Sequence, residues 1–270
     1  MHRRWIVRVA LAVATLCTLA VACGGGGKSS PKAYGGNVLL QQHALPTGGS
    51  ATVYLSGTFY SAYTPGTGRD PFSNIIPPGQ CVQTVVVDTG AVSTLLNAGP
   101  SFAAQAGGST IVAVYDTASG FAAYTSTASL PVAAPVPADW DLVFSGSTEL
   151  PATTLSGAVR LPGVVQITSP AIVPTGGFFE TTFSGGTVAM TWTPLGADYL
   201  DLTFFSGNRF VECVAADQGS FTVPSYMVPA IPTNGSLAVG AFQWRDVGLH
   251  GRTVTAIGET YIETGYTIQP

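Results

Sequence analysis

The sequence predicts an all-β protein built as two tandem β-sandwich units. Three observations carry that expectation. No long stretch keeps apolar residues at helical spacing. Short runs rich in β-branched and aromatic residues recur instead, broken by Gly, Pro, Asn and Asp. Where a run is long enough to show a period, that period is two. Val188, Met190 and Trp192 share one face of VAMTW, and Leu200, Leu202 and Phe204 share one face of YLDLTF. Half-buried antiparallel strands need this spacing, because successive side chains point to opposite faces.

The chain opens with residues 1–22, a leader. MHRRWIVR carries Arg3, Arg4 and Arg8, and the uncharged run VALAVATLCTLAVA follows. That run is shorter than the ~20 apolar residues that cross a bilayer, so it reads as a signal peptide. Leu19, Ala20 and Ala22 lead into Cys23 and resemble the bacterial lipobox. The resemblance implies that Cys23 becomes the lipidated N-terminus of the mature chain, because several acyl chains anchor stably where one does not. Residues 23–32 form a tether: Gly24–Gly27, Lys28, Ser29 and Ser30 bury no core and lose much entropy if ordered. Gly24 stands where an Asp would suggest inner-membrane retention, which by analogy favours the outer membrane.

The first sandwich is expected over residues 33–164. Its strands read as Thr52–Tyr60, Cys81–Val87, Thr110–Tyr115, Phe121–Thr125 and Trp140–Phe144. Prolines in Leu161-Pro162-Gly163, Ser169-Pro170 and Pro174 bracket a short run and place a seam near residue 165. That short run, Val164–Thr168, reads as a strand at the seam, and the second sandwich follows over 165–270, with strands at Thr187–Thr193, Tyr199–Phe205, Phe210–Val214, Ser220–Val223, Ser236–Trp244 and Arg252–Ile262. TVAMTWTPLGADYLDLTFFSG looks like a fibronectin-type or immunoglobulin-like strand pair with Trp192 as core plug; the pattern speaks to fold and not to function.

Composition narrows the function classes. The chain has ten Lys and Arg against fourteen Asp and Glu, and losing Arg3, Arg4 and Arg8 leaves the mature chain at −7. No basic patch is available for nucleic acid and no polybasic run for anionic lipid. Only 9% of residues are charged and 46% are hydrophobic, too apolar for disorder. Of four cysteines, Cys17 leaves with the leader and Cys23 carries the lipid. Cys81 and Cys213 either form a disulfide, which an exported compartment permits, or pack separately as small core residues.

With these features in place, the whole mature chain resembles a widespread set of uncharacterised all-β lipoproteins from myxobacteria and their relatives. The resemblance rests on Gly79-Gln80-Cys81, on Leu96-Asn97-Ala98-Gly99-Pro100, and on a tail containing Cys213, Asp217, Gly219, Phe221, Val223 and Pro224. It implies location and fold. It implies no activity, cofactor or catalytic residue.

Val85-Val86-Val87-Asp88-Thr89-Gly90-Ala91 looks like the active-site signature of aspartic proteases, in which two close carboxylates share a proton. Asp217-Gln218-Gly219 and Ala256-Ile257-Gly258-Glu259 are partial echoes. Asp217 lacks the following hydroxyl and the preceding apolar triplet, and Asp-Thr-Gly at a strand end also makes an ordinary turn. His2 leaves with the leader. His43 and His250 are far apart with no ligand-spaced partner, so both are expected in loops and no zinc site or triad is expected. Asp139, Asp141 and Glu149 offer oxygens to calcium, but a solvated strand edge over a buried Trp140 accounts for them. Trp140 and Trp192 are expected in cores, and Trp244, followed by Arg245-Asp246, is the aromatic best placed to meet a sugar. The glycines of GGGG open no strand-to-helix turn, so no phosphate loop is expected.

The expectation is therefore a non-enzymatic, lipid-anchored envelope protein with a structural, adhesive or accessory role and no cofactor. Its partners are the membrane, through the anchor, and an envelope protein or glycan, with no nucleic acid. A carbohydrate- or peptide-binding surface module is the alternative, and a hydrolase centred on Asp88 a more distant one.

Overall fold

The computed structural model describes residues 34–64, 76–83, 91–92, 95–116, 123–133 and 138–269. Within them the fold is all-β, with one short 3-10 turn at Val228–Ala230. The strands are β1 (Tyr34–Ala44), β2 (Ser50–Thr64), β3 (Gln80–Val82), β4 (Ala91–Val92), β5 (Ser101–Ala106), β6 (Ser109–Asp116), β7 (Ala123–Ser126), β8 (Leu130–Ala133), β9 (Ala138–Phe144) and β10 (Thr153–Leu161). They continue as β11 (Ile167–Ser169), β12 (Val173–Thr175), β13 (Phe178–Phe183), β14 (Ala189–Trp192), β15 (Tyr199–Ser206), β16 (Arg209–Ala215), β17 (Ser220–Thr222), β18 (Asn234–Leu249) and β19 (Arg252–Ile268).

One large mixed sheet runs β10-β9-β5-β6-β7-β2-β1-β19-β18-β15-β16-β3, and β11-β14-β17 form a second, small sheet. Its spine is two long hairpins. β1 and β2 pair antiparallel, β18 and β19 pair antiparallel, and β1 joins the hairpins by lying parallel to β19 from Tyr34↔Thr253 to Ala44↔Ile262. The β18–β19 turn is tight because His250 and Gly251 both take positive φ (47° and 78°), the geometry that matches strand twist.

Two cores lie on the same face of this spine. The first gathers Val38, Leu40, Val53, Leu55, Phe59, Phe102, Tyr124, Trp140, Leu142 and Phe144. Phe102 and Phe144 stack in its centre, with Phe59 edge-on to both. The second gathers Leu200, Leu202 and Phe204 from β15 against Met190 and Trp192 from β14, across the gap between the large and small sheets. The expected inward sets of VAMTW and YLDLTF are thus the inner faces of a two-layer sandwich.

The chain order and the cores divide differently. The predicted seam near residue 165 lies between β10 and β11. Yet β18 and β19 carry Leu249, Val254 and Ala256 into the first core and Leu237, Val239, Ala241, Ile262 and Tyr266 into the second. Between the cores the chain crosses the spine just after β10. A Cβ on Gly258 would collide with the Arg160 carbonyl there, so only glycine fits beneath the crossing. Beside it Thr260 donates to the Pro162 carbonyl (2.7 Å) and accepts from Gln42 (3.4 Å). Cys81 of β3 faces Cys213 of β16 across the antiparallel ladder, and the two are bonded (S–S 2.04 Å) over 132 residues of chain.

Candidate functional site

The residues singled out in the sequence are mostly occupied by structural work. Cys23 and Asp88 lie outside the described residues. Asp217 holds a loop: its carboxylate accepts from the Trp192 indole (2.8 Å) and from the backbone N–H groups of Leu195 (2.7 Å) and Ala197 (3.0 Å). Asp139 pairs with Arg160 and Arg245 (3.1 and 2.9 Å), and Asp141 accepts from Gly157 N–H. Glu149 accepts from Asn97 N–H. These oxygens serve arginines and backbone, each on a different partner. Trp140 and Trp192 are buried in the cores. His250 is in the β18–β19 turn, its Nε2 3.0 Å from the Pro151 carbonyl oxygen. His43 departs from expectation: it sits within β1, not in a loop, and stacks on Tyr261 (4.6 Å between rings). The run GGNVLLQQHA hid this strand because it breaks alternation, with polar Gln42 turned to the cores and apolar Leu39 turned away.

The opposite face of the spine carries the chemistry that sequence reading missed. Outward positions recur every second residue: Gln41 and His43 on β1, Ile257, Glu259, Tyr261 and Glu263 on β19, and Ala238, Gly240, Phe242 and Trp244 on β18. Tyr199, Asp201 and Thr203 on β15 and Glu212 on β16 extend the set. Strand register sorts them into rows. Gln41, Glu259, Phe242 and Tyr199 form one row; His43, Tyr261, Gly240 and Asp201 form the next; Glu263, Ala238, Thr203 and Glu212 form a third. Trp244 belongs to this face and is half-buried. Its indole N–H donates to the Tyr199 hydroxyl (2.8 Å), and Tyr199 stacks on Phe242 (5.0 Å, 9°).

Gly240 has no side chain and is buried, because Phe242 and Glu259 close over it. Glu259 leans over that position. Its Oε1 stands 3.0 Å from where a Gly240 Cβ would be, beside the Phe242 ring edge, while Gln41 Nε2 holds its Oε2 at 2.5 Å. Asp201, directly opposite Gly240, accepts from Thr203 through Oδ2 (3.2 Å). Its Oδ1 is shut off from solvent and has no hydrogen-bond partner.

This arrangement disfavours the ionised carboxylates. Burial first, then the neighbouring Glu212 and Glu259, push Asp201 well above the usual carboxylate range. Burial pushes Glu212 and Glu259 up to about 7, the latter opposed by the Gln41 hydrogen bond. Tyr199 and Tyr261 are raised by burial and then by adjacent carboxylates. Among the described residues no arginine or lysine pairs with Asp201, Glu212 or Glu259, and no three His, Cys, Asp or Glu are grouped to hold a metal ion. The available signal was the complement of the apolar alternation: Tyr, Asp and Thr between the leucines of YLDLTF, and Glu, Tyr, Glu in GETYIET.

Comparison with protein-family models, curated proteins and solved structures finds no match to this chain.

Proposed function

We propose that this is a non-enzymatic, lipid-anchored protein of the bacterial cell envelope with a structural, adhesive or accessory role. The carrying observation is in the sequence: a charged start, a short apolar run and small residues end at Cys23, and the glycine tether Gly24–Gly27 follows. The resemblance to the myxobacterial lipoproteins points the same way, as does the immunoglobulin-like reading of the C-terminal unit. Gly24 favours the outer membrane. Metabolic labelling with a clickable fatty acid tests it. The wild type should take up label and Cys23→Ala should not; an unlabelled wild type overturns the anchor.

A second reading, a carbohydrate- or peptide-binding surface, is favoured by one specific feature. Trp244, Tyr199 and Phe242 cluster outside both cores, where aromatic rings and polar groups share a sheet face. A ligand panel screened against wild type and Trp244→Ala tests it: some ligand should bind the wild type and lose affinity in the variant.

A further inference from the structure

We infer that the end of the spine at the β18–β19 turn faces the lipid headgroups, and that the opposite end, where Leu45, Val173 and Phe178 are exposed, projects away from the membrane. The inference rests on the first reading above, that Cys23 carries the lipid, and adds which surface the anchor brings to the bilayer.

β1 fixes where the anchor's chain joins the body. Its first residue, Tyr34, pairs with Thr253, two residues past Gly251 of the turn, and its last, Ala44, pairs with Ile262. At ~3.3 Å per residue those two levels of the spine are about 30 Å apart. Eleven residue steps separate Cys23 from Tyr34. A glycine-rich chain of that length averages about 18 Å end to end and reaches about 40 Å when fully extended. The β18–β19 turn is therefore tied close to the lipid, and the far end lies beyond the chain's average reach. Leu45 directly follows Ala44 at that far end. The register that pairs Glu180 with Gly265 sets Phe178 level with Glu263, where β1 ends, and Val173 pairs with Glu180 beside it. All three apolar residues are exposed.

Charge favours the same orientation. The mature chain carries −7, so most of its surface is repelled by anionic lipid. Lying on the face opposite the cores would press Glu212, Glu259 and Glu263 toward headgroup phosphates. Basic residues instead gather at the turn end. Lys28 and Lys32 precede Tyr34 in the chain, and Arg252 follows the turn. The nearest acids there are engaged within the protein: Asp246 accepts from Thr255, and Glu149 accepts from the Asn97 N–H. Toward the far end Glu180 and Glu263 outnumber Arg209, which donates to the Ala230 carbonyl. Lysine and arginine close to a surface of phosphates are attracted to it, and the attraction fades within a Debye length.

The test uses the full acylated chain, reconstituted into vesicles of phosphatidylethanolamine and phosphatidylglycerol that include a lipid with a nitroxide on its headgroup. A fluorophore is attached to one introduced thiol, at Gly248→Cys beside the β18–β19 turn or at Thr47→Cys in the β1–β2 turn. Cys81 and Cys213 are bonded to each other and buried, so the new thiol takes the label. A Cβ on Gly248 meets nothing within 4 Å, and Thr47 is exposed. Should either label disturb cooperative melting, His250→Cys and Thr175→Cys repeat the comparison at the same two ends. The nitroxide should quench the label beside the β18–β19 turn at least two-fold more strongly than the label at the far end. Equal quenching in a chain that floats with the vesicles, or stronger quenching at the far end, overturns the orientation and leaves the anchor standing. A wild-type chain that does not float with the vesicles removes the anchor reading, and the orientation with it.

Discussion

At the residue scale, the outward carboxylates oppose folding when ionised. Glu259 has a folded value near 7 against an ordinary 4.5. Through this group the folded state therefore binds more protons than the unfolded state between those values, and its contribution to stability falls as pH rises from about 4.5 to 7, then levels off. Glu259→Gln should raise stability at pH 8 by about 1–3 kcal/mol and leave it nearly unchanged at pH 4.5. Urea titrations at the two pH values check this; a gain of equal size at both would show that the carboxyl is not held from its ordinary range. Asp217 is the contrasting acid. It satisfies three donors, so Asp217→Ala should destabilise by about 2–4 kcal/mol. Thermal melts read that loss, and a change below about 0.5 kcal/mol would mean that water replaces the carboxylate at all three donors.

At the element scale, β3 is three residues long, ends the large sheet and, among the described residues, pairs only with β16. Its hold on the sheet comes from the Cys81–Cys213 bond, which closes a loop of 132 residues. The paired substitution Cys81→Ser and Cys213→Ser should cost about 2–5 kcal/mol by denaturant unfolding. An unchanged midpoint would show that β3 is held by its ladder alone. β19 supports a sharper case. Gly258 lies under the Arg160 carbonyl where β10 ends. Gly258→Ala must displace that crossing, and a loss of about 3 kcal/mol or more is expected in the same assay. Wild-type stability in Gly258→Ala would mean that the crossing shifts freely.

At the scale of the whole molecule, the two cores share the long hairpins instead of owning separate strands. Leu249, Val254 and Ala256 follow the seam in sequence yet fill the first core, and Ala44, Ala51 and Cys81 precede it yet fill the second. A fragment of residues 165–270 lacks β1, which lines β19 along ten registered pairs. It should bind a hydrophobic dye and melt without cooperativity, whereas the intact chain should melt cooperatively with little dye bound. A cooperative, dye-free fragment would show that the shared spine is dispensable.

The class of fold was legible in the sequence because alternation is a local property of an extended backbone. VAMTW and YLDLTF reveal their buried faces within a few residues, and the structure places those faces in the second core. The same words hid the candidate site. Tyr199, Asp201 and Glu212 look like ordinary solvent-side residues until β18 lies beside β15 and β19 beside β18. Gln41 reaches Glu259 across 218 residues of chain only because β1 inserts parallel to β19. Loop closure costs little more over two hundred residues than over fifty, so no local window shows which strands become neighbours. Residue types and their period determined that this chain makes half-buried strands. Pairing across the spine decided which acids share a face, and which of them lie over a glycine.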